Sequence, residues 1–283
     1  MAIQRKSATT NDGVTISYLE GGSGRPLVML PGWSQTASGF SAQIEAFCRI
    51  RKVIALDQRG HGESGKAQNG YRIFRLAKDL HDVITTLDIE DFDFLGHSLG
   101  VSVIFAYLML FQNERPPQRL VLADEPPALL ARPDWTDTER ENAGSVLASL
   151  QDVADFKSAI RSADTPALHA EILRPMFTAS IDENKLLEIA AENLKLPRNH
   201  AADLLENNCL QDWRSFILTI RLPTLVVAGE ASPHPISSLV WITEQIAGAR
   251  LELIPKSEGG SHFMFMENPG RFNSAVVDFL SAA

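Results

Sequence analysis

A serine and a histidine in this chain each stand among glycines, where the backbone can present a side chain for chemistry. Ser98 lies in "GHSLG" (96–100), between the apolar "FDFL" and the apolar "VSVIFAYLMLF". A strand entering a helix through so tight a turn needs glycine on both sides of the serine, and it pushes the hydroxyl out above the sheet. That placement suits nucleophilic attack, which requires a base. Of the seven histidines, His262 in "EGGSHFMFMENP" is the best candidate. It follows a strand, precedes a helix, and has glycines before it that let the imidazole reach inward. "LPGW" (30–33) follows another buried strand. Its loop can aim the Trp33 N–H at the point faced by the Leu99 N–H, and two converging donors stabilise negative charge on oxygen. The Trp33 side chain either lines a pocket or packs beneath a lid. His97 adjoins Ser98 and faces the same space as a substrate contact. His61 in "RGHGES" reads as a loop-holding residue, and His81, His169, His200 and His234 as solvated or structurally bonded side chains.

The elements that must position these residues alternate. "VTISYLEGGSG" is a strand ending in a glycine turn. "PLVMLPG", "KVIAL", "RLVLADEPP" and "PTLVVAGE" are apolar runs of the kind buried on both faces of a parallel sheet. "YRIFRLAKDLHDVITTLDI" has helical spacing, and "LELIPKSEGGSHF" returns to strand. Strands alternating with helices predict an α/β fold, a mostly parallel sheet covered on both faces. From Pro126 to Phe216 the strand signal stops, and "DTERENAGSVLASL", "VADFKSAIRSA", "ALHAEILRPMF" and "NKLLEIAAENL" read as amphipathic helices. The chain therefore divides into a first core part (1–125), a helical cap (126–216) and a second core part (217–283). The cap is expected over the carboxyl ends of the strands, where open α/β sheets bind ligands.

Composition narrows the function classes. The 283 residues are 45% hydrophobic and 22% charged, ordinary for a globular protein with a sizeable core. A net charge of −9, with Lys and Arg scattered, disfavours nucleic acid or an anionic membrane as partner. The two cysteines, Cys48 and Cys209, imply neither a disulfide framework nor a zinc site. No apolar run reaches the ~18 residues of a membrane span, and the N-terminal stretch lacks the apolar core of a secretory leader. A cytoplasmic enzyme is expected, monomeric or homodimeric, acting on a small aromatic or acyl substrate.

"LPGW", "DQRGHGES", "GHSLG" and "GGSHF" resemble, in order and spacing, the α/β-hydrolase fold superfamily, over nearly the whole chain outside the cap. The resemblance implies Ser98 as nucleophile, His262 as base, and Trp33 and Leu99 as oxyanion donors. In most members the acid follows the strand read here as "TLVVAG", but Ser232 occupies that place. Glu230 lies nearer the strand end. Asp124, closing "RLVLAD" just before the cap, is assigned as the partner of His262, with Glu125 the weaker candidate.

An acid on that strand, Trp33 in the oxyanion loop and the His97–Ser98 pair resemble the cofactor-independent 2,4-dioxygenases of 3-hydroxy-4(1H)-quinolones and quinaldines. Leu99 stands where that branch has a second histidine, and "SQT" replaces a Cys–His pair after the tryptophan. This resemblance implies oxygenation of a 2-alkyl-3-hydroxy-4(1H)-quinolone without cofactor or metal. His262 would deprotonate the 3-hydroxyl, the anion would react with O2, and carbon monoxide would leave. The same atoms suit a serine hydrolase (esterase, lactonase or amidase) with an acyl-enzyme on Ser98. A ligand receptor on this fold is a third reading, disfavoured by the intact Ser–His–Asp set. The dioxygenase is the narrow first expectation.

Overall fold

The structure, a computed structural model, describes residues 3–282. Eight strands, β1 (Gln4–Thr9), β2 (Thr15–Gly21), β3 (Pro26–Leu30), β4 (Lys52–Leu56), β5 (Asp93–His97), β6 (Leu120–Ala123), β7 (Thr224–Gly229) and β8 (Arg250–Ile254), form one sheet in the order β1-β2-β4-β3-β5-β6-β7-β8. The pairs β1·β2 and β2·β4 are antiparallel and the rest are parallel. The expected α/β architecture is therefore present.

The apolar runs are buried on both faces because alternate side chains enter two different cores. Val28, Leu30, Ile54 and Leu56 join one, while Leu27, Met29, Val53 and Ala55 join the other. Helices α1 (Ser41–Phe47), α2 (Ile73–Thr86) and α3 (Leu99–Phe111) alternate with the strands before β6. Helix α2 turns Ile73, Leu76, Ala77, Leu80, Val83 and Ile84 inward, whereas α3 is buried all round from Leu99 to Leu108. Its burial on every side holds the turn before it rigid.

Between β6 and β7 lie only helices: α4 (Asp137–Ala143), α5 (Leu150–Ser162), α6 (Pro166–Leu173), α7 (Glu183–Asn193), α8 (Arg198–Cys209) and α9 (Arg214–Ile217). Capping boxes at Thr136/Glu139 and Ser149/Asp152 start α4 and α5, and Thr165 with Pro166 starts α6. Packing pairs α5 with α8 and α6 with α7. Helices α10 (Ile236–Gln245), α11 (Met264–Glu267) and α12 (Pro269–Ser281) complete the chain. Among the described residues, no helix is long and apolar enough to cross a membrane.

Candidate active site

Parallel strands β3, β5, β6, β7 and β8 place their carboxyl ends side by side, with Leu30 level with Gly96, His97 with Ala123, and Ala123 with Val227. Every sequence-predicted site residue leaves the sheet at this edge. Ser98 is held at φ 51°, ψ −130° between β5 and α3, a conformation costing about 1–3 kcal/mol for a residue with a Cβ. Its backbone is fixed on both sides, the Ser98 N–H donating to the Ala123 carbonyl at 2.8 Å and the Val101 N–H to the Ser98 carbonyl at 2.7 Å. A Cβ on Gly100 would stand 2.3 Å from the Leu30 carbonyl oxygen, and one on Gly96 2.9 Å from the Gly100 carbonyl carbon. Only glycines let β5, the turn and the loop after β3 meet this closely.

That loop carries Trp33 to the elbow. A Cβ on Gly32 would lie 3.0 Å from His97 Nδ1 and 3.1 Å from the Ser98 Cβ, so the loop passes directly over the elbow. Among the described residues, the Trp33 and Leu99 N–H groups donate to no protein acceptor, and both residues line one cavity. His61 secures the loop from behind. Its Nε2 accepts from the Ser34 N–H at 3.2 Å and its Nδ1 donates to the Arg59 carbonyl at 2.9 Å. This arrangement needs a neutral imidazole, and burial pulls His61 down to about 4. The Trp33 side chain takes both roles left open by the sequence: it lines the cavity, and its Nε1 donates to the Ala201 carbonyl of α8 at 2.7 Å.

The carboxylate that meets His262 follows the end of β6. Asp124, at φ 52°, turns its carboxylate so that Oδ2 meets His262 Nδ1 at 2.6 Å. Ser232 does not replace the carboxylate but serves it, donating Oγ–H to the same oxygen at 2.5 Å, while the Gly229 N–H donates to Oδ1 at 3.4 Å. Glu230 faces away and caps the Lys256 N–H at 2.7 Å. Burial raises the Asp124 carboxyl, opposed by the neighbouring imidazoles of His234 and His97 and by the Ser232 and Gly229 donors. Burial also lowers His262. The enclosure thus favours a neutral imidazole, as a resting base requires.

Glycines again permit the approach, since a Cβ on Gly260 would stand 1.8 Å from the Ile254 carbonyl oxygen. Ser98 and His262 line the same cavity, but no hydrogen bond within 3.5 Å joins their side chains among the described residues. Resting sites of this kind are often loose before substrate arrives.

Two residues stand differently from the sequence expectation. His234, read as solvated or structurally bonded, lines the cavity with its ring centroid 5.1 Å from that of His262. The turn Ser232–Pro233 places it there, since the His234 N–H donates to Ser232 Oγ at 3.1 Å. Glu125, the weaker candidate for the acid, makes no hydrogen bond to His262 among the described residues. Its Oε1 accepts from Ser102 Oγ at 2.8 Å and from Asn208 Nδ2 at 2.9 Å. Burial raises it to about 7, with Asn208, Ser102 and Ser98 acting in the opposite direction.

His97 lies in the cavity wall as expected, tied through Nε2 to the His262 carbonyl at 2.8 Å. His169 is buried beside Trp33, His200 stacks on Tyr71 at 4.0 Å, and His81 meets Glu114 at 3.0 Å. One group of metal-capable side chains is found among the described residues, Asp124, His234 and His262, whose ligand atoms lie within 4.8 Å of one another. The 2.6 Å bond between Asp124 and His262 already commits two of them to each other.

The cavity has a volume of about 300 Å³ and is walled largely by apolar side chains from the segment between β6 and β7, among them Leu129, Phe156, Ile172, Met176 and Leu205. Its polar side chains include Ser98, Glu125, His234 and His262, which follow the strand ends.

A family model described as the alpha/beta hydrolase fold matches residues 25–269, and the chain belongs to that family. It is 26% identical to the AB hydrolase superfamily protein YisY of Bacillus subtilis, over 95% of this chain and 97% of that protein. Among solved structures it is similar to an esterase from Exiguobacterium antarcticum (TM-score 0.88, 22% identity, 99% and 100% of the two chains). It is also similar to the enol-lactonase from Burkholderia xenovorans (TM-score 0.82, 22% identity, 98% and 100%). These structural likenesses show the fold. They give no sign of the quinolone-dioxygenase branch that the sequence motifs suggested.

Proposed function

We propose that the protein is a serine hydrolase acting on carboxylic esters or lactones with an apolar acyl group, through an acyl-enzyme on Ser98. The observation that supports this most is the Asp124–His262 bond beside a serine held on a strained elbow. In this reading His262 Nε2 takes the Ser98 proton as Oγ attacks the substrate carbonyl. The Trp33 and Leu99 N–H groups receive the developing oxyanion, a contribution of about 3 kcal/mol for a single donor in such sites. Asp124 keeps the proton of His262 on Nδ1 and balances the imidazolium. The imidazolium then protonates the leaving alcohol. Water, deprotonated by the same nitrogen, releases the acid and restores Ser98. The segment 126–216 acts as the cap that encloses the acyl chain. Esterase and enol-lactonase are names borne by structures of the same fold, and they agree with this class.

A second reading retains the dioxygenase, favoured by Asp124's position on β6 and by a His262 ring not bonded to Ser98. In it the imidazole deprotonates a substrate hydroxyl and Ser98 only binds. One experiment separates the two. p-Nitrophenyl butyrate is given to the wild type and to Ser98→Ala, and a 2-alkyl-3-hydroxy-4(1H)-quinolone is incubated in an oxygen electrode. Hydrolysis predicts an ester burst that Ser98→Ala abolishes, with no oxygen uptake. Oxygen consumption with carbon monoxide release, surviving in Ser98→Ala, would refute it.

A further inference from the structure

The mechanism above leaves one buried carboxylate in the cavity without a task. Glu125 is 3% exposed and follows the catalytic-site Asp124 directly, yet the chain turns it toward α8. Its Oε1 is fully engaged by Ser102 Oγ and Asn208 Nδ2. Ser102 is itself held, accepting from Trp213 Nε1 at 3.0 Å. Oε2 has no protein donor within 3.5 Å among the described residues, and it is not among the sealed, unpaired polar atoms. It therefore opens on the cavity that Glu125 lines. Ser98 lines the same cavity, so this oxygen shares the chamber with the reacting centre.

Asn208 holds this carboxylate in place. Asn208 spends its Nδ2 on Glu125, which fixes the amide orientation, and leaves Oδ1 enclosed with no partner. Asn208 is 4% exposed and lines the same cavity. An enclosed polar atom without a partner is costly, and native structures rarely keep one without a reason. The Ser102 O–H and Trp213 Nε1 donors are consumed inside the network, and Asn208 Nδ2 spends one of its two N–H groups there. What opens on an otherwise apolar chamber is one acceptor, Glu125 Oε2. Such a chamber is a poor place for a substrate cation, whose desolvation is expensive. It suits a neutral hydroxyl.

Resting on the hydrolase reading, we infer that Glu125, held in place by Asn208 and Ser102, forms a specificity subsite that accepts a hydrogen bond from a hydroxyl on the substrate's acyl chain, close to the scissile carbonyl. The substrate class is thus a hydroxyacyl ester or its lactone-derived equivalent, with the rest of the chain apolar. Glu125 is ionised at pH 8, because burial sets its midpoint at about 7. At that pH its free oxygen can only accept.

The test compares kcat/KM at pH 8 for p-nitrophenyl butyrate, its 2- and 3-hydroxy derivatives and the 3-amino derivative. The wild type is expected to prefer a hydroxy ester by on the order of 10- to 100-fold, the range for a hydrogen bond to a charged group. Glu125→Gln puts a donor where Oε2 was, so the preference should collapse to within about threefold. Asn208→Leu should reduce it as well. Equal turnover of plain and hydroxy esters by the wild type would overturn the subsite and leave the hydrolase reading intact. Preference for the amino ester would overturn the neutral-donor assignment.

If no ester is turned over, the hydrolase reading fails, and calorimetry with the matching butyramides still decides on the subsite. Tighter binding of a hydroxy amide by the wild type, lost in Glu125→Gln, upholds it; equal binding overturns it.

Discussion

Replacing Glu125 by Gln also has a consequence for folding that follows from burial alone. The carboxyl is raised from an ordinary 4.5 to about 7 because it is enclosed. The folded protein therefore holds this proton more tightly than the unfolded chain does. A group of this kind contributes stability that is fully present below 4.5 and is lost as pH rises through 7. The whole effect is worth about 3 kcal/mol, most of which falls between pH 5 and pH 8.

Buried histidines such as His61 and His169, pulled down to about 4, act with the opposite sign: they lose stability as pH falls below 6.5. The wild-type curve alone is therefore a sum of opposing slopes. Glutamine has nearly the same shape, keeps an acceptor for Ser102 and Asn208, and does not titrate. The difference between wild type and Glu125→Gln cancels the other groups. Urea unfolding at pH 5 and pH 8 should show the wild type losing roughly 2 to 3 kcal/mol relative to the variant as pH rises. A difference that stays constant across this range would refute the claim that Glu125 is an enclosed acid held near neutrality.

The remaining predictions concern the relay. Asp124→Asn should lower kcat on esters by about 10⁴-fold with little change in KM, because His262 loses both its tautomer and its counter-charge. Adding Ser232→Asp should recover part of that loss, because the Ser232 hydroxyl lies 2.5 Å from the Asp124 carboxylate; no gain in kcat over the single variant would contradict the geometry. Ser232→Ala removes one donor to that carboxylate and should cost about 10-fold in kcat, as a hydrogen bond to a charged group is worth about 1.5 kcal/mol or more. Gly32→Ala forces a Cβ to within 3.1 Å of that of Ser98 and should displace the oxyanion loop, lowering kcat by about 100-fold while the unfolding midpoint in urea moves little.

The sheet was legible because five apolar runs are buried on both faces, and the elbow because glycine sterics leave no other residue at 96 and 100. Asp124 was legible because an aspartate ending a buried strand must find a partner. Strand β1 escaped notice: five of its six residues are exposed, so it shows no hydrophobic period and is held by pairing with β2. Helix α8 escaped for a related reason. "RNHAADLLENNC" mixes polar residues into the face it buries, Asn208 among them, and the network around Glu125 exists only in three dimensions. His234 carries no motif, since the loop after β7 brings it to His262 through a serine turn that spacing does not announce.

The most direct test of the account is covalent. A p-nitrophenyl alkylphosphonate offers Ser98 an electrophilic phosphorus and leaves a stable adduct, which peptide mass spectrometry can locate. The account predicts one phosphonate per chain, on Ser98, formed rapidly by the wild type and at least about 100-fold more slowly in His262→Ala, whose nucleophile has lost its base. No adduct, or labelling of Ser98 at the same rate without His262, would contradict it.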